Sequence, residues 1–241
     1  MKYFFITLTL SAFFSFAKKE KDIEMLIPGD HFAQESDSAR YHYWNARKDS
    51  CMYTMSQEGW YDFLQKEDGT FYLEKAYPKI VEQYIECWDE HAIVFVSGGI
   101  VTLSSSILSE RTVPNYPLSE ENNAIFPGGS LIFDWGSKVY KLRAEADTVE
   151  MGTNNWDSIQ NYRLYISDGE KEQLFFEQES FNNSRSEIVF LGDLDNDGKP
   201  DLLISNPFDY ETVSLVLYLS SYASEEELVG GAASGRYDTS C

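Results

Sequence analysis

The sequence predicts a mostly β protein, antiparallel and sandwich-like, with one or two short helices. Three observations carry that expectation. Apolar residues recur with a period of two in short runs, as in Tyr140, Leu142, Ala144 and Ala146 set against Lys141, Arg143 and Glu145. Asp-Gly pairs at 68–69 and 168–169 stand between such runs, a strong hairpin-turn signal. The chain of 241 residues holds 16 Phe, 16 Tyr and 5 Trp, enough bulk for a sizeable core and too much for a disordered chain.

Taken in order, the elements are as follows. Residues 18–50 are charged and without a clear period, although Tyr41, Tyr43 and Trp44 suggest a docked segment. Residues 60–65 and 70–75 form a hairpin around Asp68-Gly69. Residues 79–88 are ambiguous, because Ile80, Val81, Tyr84, Ile85 and Trp88 fit a helical stripe while their β-branched content also permits a strand. Residues 92–96 and 100–108 read as strands around Gly98-Gly99. Residues 111–130, with Pro114, Pro117, Pro127 and Gly128-Gly129, read as a linker or long loop. They divide an N-terminal β-rich region, 18–110, from a C-terminal β region, 131–241. In the second region Tyr162, Leu164 and Ile166 lead through Asp168-Gly169 into 174–176, and 187–191, 201–205 and 213–219 add three strands. Ser224 with Glu227 three residues on marks a short helical turn over 224–228.

Charge and the N-terminus bound the compartment and the partners. Nineteen Lys plus Arg against 40 Asp plus Glu give a net charge of −21. A surface this acidic is repelled by nucleic-acid phosphate and by anionic membrane. Residues 1–17 carry Lys2, an apolar stretch from Tyr3 to Phe14, and Ser15-Phe16-Ala17 before Lys18-Lys19-Glu20, the pattern of a signal peptide cleaved near Ala17. The run is shorter than the roughly 18 apolar residues of a spanning helix, and no later segment reaches that length. No Cys follows Ala17 to carry a lipid. Removing these residues takes away one lysine and no acid, leaving a mature chain of 224 residues at −22 that is exported to the periplasm or the cell exterior. There Cys51, Cys87 and Cys241 allow one structural disulfide with one thiol left over, the pair being open.

One motif carries chemistry. Within EIVFLGDLDNDGKPDLLIS, residues 187–205, four carboxylates stand at Asp193, Asp195, Asp197 and Asp201. Four negative charges in nine residues repel unless a cation sits among them. Calcium takes six to eight oxygens, so these side chains, the Lys199 carbonyl and water supply a shell. Gly198 permits the sharp turn. An EF-hand would need an acidic ligand at loop position 12, where Ile204 stands, and flanking helices rather than strand-like runs. An acid at position 9 between two strands resembles the calcium hairpin of the integrin-type FG-GAP and VCBS repeats, in a single copy confined to 187–205. The resemblance implies a loop joining two adjacent antiparallel strands, with Asp193, Asp195, Asp197 and Asp201 binding calcium through side chains and Lys199 through its carbonyl. Such motifs recur once per propeller blade; with no second copy here, a full propeller is not expected.

No GxSxG, HExxH, CxxC, P-loop or GxGxxG motif is present, and His31, His42 and His91 lack a partner pattern. Trp44, Trp60, Trp88, Trp135 and Trp156 are expected in the core, an exposed sugar-stacking platform being the other reading. Asn182-Asn183-Ser184 matches a glycosylation sequon. The reading is thus a non-enzymatic, exported calcium-binding protein with structural calcium and an unidentified protein or glycan partner. The alternatives are a carbohydrate- or surface-binding module using exposed aromatics, and a hydrolase with an unrecognised site. Acids and a His converging in a pocket would mark the hydrolase.

Overall fold

The computed structural model describes residues 23–26, 28–29, 40–42, 59–76, 79–85, 90–97, 99–148 and 155–238. The signal segment, all three cysteines, Trp44 and Trp88 lie outside these residues. Seventeen strands run through the described part: β1 (Glu24–Leu26), β2 (Pro28–Gly29), β3 (Arg40–His42), β4 (Trp60–Gln65), β5 (Phe71–Lys75), β6 (Lys79–Ile85), β7 (Glu90–Ser97), β8 (Val101–Ser104) and β9 (Arg111–Val113) come first. Then follow β10 (Ser130–Trp135), β11 (Lys138–Glu145), β12 (Gln160–Ser167), β13 (Glu172–Ser180), β14 (Glu187–Gly192), β15 (Asp201–Ser205), β16 (Thr212–Leu219) and β17 (Gly230–Asp238). They form four antiparallel sheets, ordered β1-β8-β4-β5-β9, β2-β3-β7-β6, β10-β11-β12-β13 and β14-β15-β16-β17. No helix among the described residues is long and apolar enough to cross a membrane.

The local signals explain the hairpins. Gly69 (φ 83°) turns β4 into β5 while the Asp68 carboxylate accepts the Thr70 N–H at 2.9 Å. Asp168 plays the same part between β12 and β13, accepting the N–H groups of Glu170 and Lys171 at 3.1 and 2.9 Å. Of the ambiguous segment 79–88, residues 79–85 are a strand paired with β7, and 86–88 lie outside the described residues. Segment 111–130 holds β9, paired with β5, and then loop until β10 begins at Ser130.

The expected helical turn at 224–228 is a hydrogen-bonded turn instead. One bond of the expected Ser–Glu box is present, Ser224 N–H to Glu227 Oε2 at 3.0 Å, and a backbone bond from Glu227 N–H to the Ser224 carbonyl at 3.1 Å closes the turn. Val229, fully buried, then draws the chain into β17, leaving too few residues to propagate a helix. The helical content of the described residues is two three-residue 3-10 turns, Trp156–Ser158 and Ser220–Tyr222.

Packing is sandwich-like, with the β14–β17 sheet as the middle layer. One of its faces sets Ile188, Leu191, Leu202 and Ile204 against Leu131, Phe133, Leu142, Leu164 and Ile166 of the β10–β13 sheet. Its other face sets Phe190, Leu203, Leu215 and Leu217 against Phe63, Phe71, Leu73 and Val101 of the β4-containing sheet. β15 is therefore buried on both sides, which is why it reads as an unbroken apolar run rather than an alternation. The Phe63, Phe71 and Phe190 rings meet at centroid distances of 4.9 to 5.3 Å and pin the second interface.

Candidate metal centre

The 193–201 loop joins β14 to β15, two adjacent antiparallel strands held from Glu187↔Ser205 to Gly192↔Asp201. The strand before it is fastened first. Tyr116 N–H donates to the Leu191 carbonyl at 2.8 Å, and Asp193 N–H donates to the Pro114 carbonyl at 2.9 Å. That approach is close: a Cβ on Gly192 would stand 2.2 Å from the Pro114 oxygen and 2.6 Å from Phe190 Cζ. Only glycine fits.

The loop then coils around its own carboxylates. Asp193 Oδ1 accepts the Asp197 N–H at 3.1 Å and its Oδ2 the Gly198 N–H at 3.1 Å. Asp195 Oδ1 also accepts from Asp197 N–H, at 3.3 Å. Asp197 Oδ1 accepts the Lys199 N–H at 2.9 Å, and its Oδ2 accepts the Ser220 hydroxyl at 2.7 Å. Asn196 (φ 66°) and Gly198 (φ 85°) take the left-handed conformation that this coiling requires. One carboxylate oxygen from each of Asp193, Asp195 and Asp197 lies within 4.8 Å of the others, a group that could hold a metal ion.

Asp201 is placed differently. It is fully buried, and its Oδ2 accepts the N–H groups of Leu194 and Asp195 at 2.7 and 3.4 Å while Oδ1 accepts Ser220 N–H at 2.8 Å. It stands outside the close triad and ties the loop to the 3-10 turn at 220–222. Burial, with the charges of Asp195 and Asp197, pushes its carboxyl well above the usual range despite those N–H donors. Burial likewise raises Asp195, with the Asp197 and Asp193 charges adding to it. The Lys199 backbone enters through its N–H to Asp197.

Three residues that position this loop carry no local signal in the sequence. Arg111 of β9 donates to the Asp193 carbonyl at 2.9 Å, to the Leu194 carbonyl, and to Asn196 Oδ1 at 3.3 Å. Trp135 Nε1 donates to the Gly198 carbonyl at 3.2 Å. Ser220 closes the third side. Each is brought in by tertiary packing from at least 19 positions away, so only the fold reveals it.

Trp60 is buried, and Trp135 and Trp156 pack against the core; the exposed aromatics among the described residues are Phe208 and Tyr210. His31 and the side chains of His42 and His91 lie outside what is described.

Residues 187–218 match the FG-GAP repeat family, in a single segment that covers β14, the loop, β15 and most of β16. No curated protein and no solved structure matches the chain.

Proposed function

We propose that this is an exported calcium-binding β protein whose ion is structural, bound in the 193–201 loop by the side chains of Asp193, Asp195, Asp197 and Asp201 and the carbonyl of Lys199. The observation that carries the reading is the convergence of three carboxylates beside a fourth, fully buried one, in the segment that matches the FG-GAP repeat. The donor set is all oxygen and predominantly anionic, the chemistry a hard cation such as calcium requires. Asp201 fits as well, since its oxygens together offer about four lone-pair sites and three are taken by N–H groups.

Bound calcium would supply two positive charges at the point where the fold holds buried carboxylates at a cost. The chain's own residues do the rest. Asp193, Asp195 and Asp197 present oxygens from one coil, Asp201 anchors that coil to Ser220, and Arg111 fixes its backbone from β9. An ion there would secure the β14–β15 register and, through it, both interfaces of the middle sheet. Export rests on the 1–17 pattern, with cleavage near Ala17. The partner is an unidentified protein or glycan.

Thermal melting tests this. The mature protein should melt at a higher temperature in millimolar calcium than in chelator, and Asp195→Ala should abolish the difference. Identical melting curves in the two buffers would overturn the assignment, and an undiminished shift in the variant would move the ion elsewhere.

A further inference from the structure

The connection from β15 to β16, residues 206–211, carries both exposed aromatic side chains of the described residues, Phe208 at 48% exposure and Tyr210 at 66%. The loop that presents them is braced from two sides. Asn206 N–H donates to the Ser214 carbonyl at 2.9 Å, and the Ser214 hydroxyl donates to Asn206 Oδ1 at 3.0 Å. From the segment after β13, Asn182 N–H donates to the Phe208 carbonyl at 3.1 Å, and the Ser184 hydroxyl lies 3.0 Å from the carbonyls of Pro207 and Phe208. Asp209, between the two rings, is engaged within the loop, accepting the Thr212 hydroxyl at 2.7 Å and the Glu211 N–H at 3.1 Å. A partner that meets these rings therefore has little loop freedom to freeze.

The charges around the rings are one-sided. Segments 155–158, 181–187 and 206–211 meet at this end of the sheet, the first two joined by the bond from Asn183 N–H to Asp157 Oδ1 at 2.6 Å. They hold Asp157, Asp209 and Glu211, and also Arg185, which Glu187 takes up at 2.5 Å. At the near end of β17, Arg236 and Asp238 stand opposite Ser214 and Thr212 in register and add one charge of each sign. Five carboxylates against two guanidinium groups leave three negative charges. The Tyr210 hydroxyl itself donates to the Glu211 carboxylate. Exposed aromatic faces among uncompensated carboxylates attract a cation through the ring quadrupole and through charge together.

We infer that this loop docks a basic segment of a partner protein, with arginine guanidinium groups stacked on Phe208 and Tyr210 and their charge met by Asp157 and Glu211. A second copy of this chain is repelled, since it brings the same acidic face and a net charge of −21. A neutral sugar would gain from the rings and nothing from the three negative charges, and an anionic lipid surface would be repelled. Arginine uses both features: its planar head stacks on an aromatic ring and still offers donors to a carboxylate. Tyrosine and arginine are also the side chains most enriched, with tryptophan, among interface anchors. The inference names the chemistry of the partner and does not rest on the metal, whose loop lies at the other end of β15.

The test is fluorescence anisotropy of a labelled, end-blocked peptide Ser-Arg-Ser-Arg-Ser-Arg-Ser with the full mature chain, beside the same peptide with citrulline for arginine, which keeps the shape and loses the charge. The arginine peptide should bind, and the citrulline peptide about tenfold more weakly. The double variant Phe208→Ser, Tyr210→Ser leaves the net charge unchanged and should weaken the arginine peptide about tenfold, the loss of two exposed cation–π contacts, with an unchanged melting temperature because both rings are exposed. Asp157→Asn keeps an acceptor for the Asn183 N–H and removes one charge, so binding should weaken about threefold; Glu170→Gln, in the 168–171 turn at the other end of β13, should leave it unchanged. No binding, equal affinity for the two peptides, or an undiminished affinity in the double variant would each overturn the inference, the last by assigning the attraction to net charge. Binding of maltohexaose through both rings, with none of the arginine peptide, would overturn it in favour of a glycan. Melting in calcium is read separately, so failure here leaves the metal assignment standing.

Discussion

Arg111 offers the sharpest perturbation of the loop that leaves every carboxylate in place. Its guanidinium is the cation that the fold brings to the loop from β9, and it grips two consecutive backbone carbonyls and the Asn196 side chain. Arg111→Met keeps the aliphatic stem and removes the donors. Hydrogen bonds from a charged group are each worth about 1.5–3 kcal/mol, and three that share one partly exposed head do not add, so a loss of about 2–3 kcal/mol is expected. For a chain of this size that corresponds to a drop of about 5–10 °C in chelator. Calcium changes the arithmetic. The guanidinium lies on the same loop as the proposed ion and repels it, while in the metal-free protein it offsets the crowding of Asp193, Asp195 and Asp197. The variant should therefore gain more from calcium than the parent does. Differential scanning calorimetry of both proteins, in chelator and in calcium, reads all four values. An unchanged melting temperature in chelator, or a smaller calcium increment in the variant, would refute the role assigned to this side chain.

Two further outcomes follow from the same geometry. Gly192→Ala would force a Cβ to within 2.2 Å of the Pro114 oxygen, which also accepts the Asp193 N–H; a loss of about 2–4 kcal/mol is expected in urea unfolding, and a neutral effect would show that 114–116 does not clamp β14. Acid should weaken the calcium effect. Asp195 and Asp201 have carboxyls raised above their unfolded values, so the metal-free fold takes up protons more readily than the unfolded chain and loses stability as pH rises through and above the ordinary Asp range. Calcium requires those groups ionised, so the calcium-induced melting shift should shrink from about pH 7.5 to about pH 5, and a pH-independent shift would contradict this.

The hairpins and the loop were legible because their determinants are local. Asp-Gly at 68–69 and 168–169 specifies a turn, and Tyr140, Leu142 and Ala144 declare a buried face by alternation alone. The FG-GAP-like spacing is likewise contained in nine residues. What escaped depends on distant contacts. β17 contains Gly230, Gly231, Ala232, Ala233 and Gly235, a composition with poor strand propensity, and is a strand because β16 offers it a ladder along its whole length. The Ser224–Glu227 pair closes a turn but no helix, since burial of Val229 redirects the chain. Arg111 and Ser220 look ordinary in sequence, and Asp201 reads as one ligand among four until its burial and three N–H donors set it apart.

The most direct measurement is a crystal structure of the mature protein grown in calcium, with the ion located by its anomalous scattering. One ion is expected in the 193–201 loop, about 2.3–2.6 Å from oxygens of Asp193, Asp195 and Asp197, with Asp201 and the Lys199 carbonyl completing the protein ligands. A loop whose carboxylates keep their N–H and Ser220 hydroxyl partners, with no ion among them at saturating calcium, would contradict it.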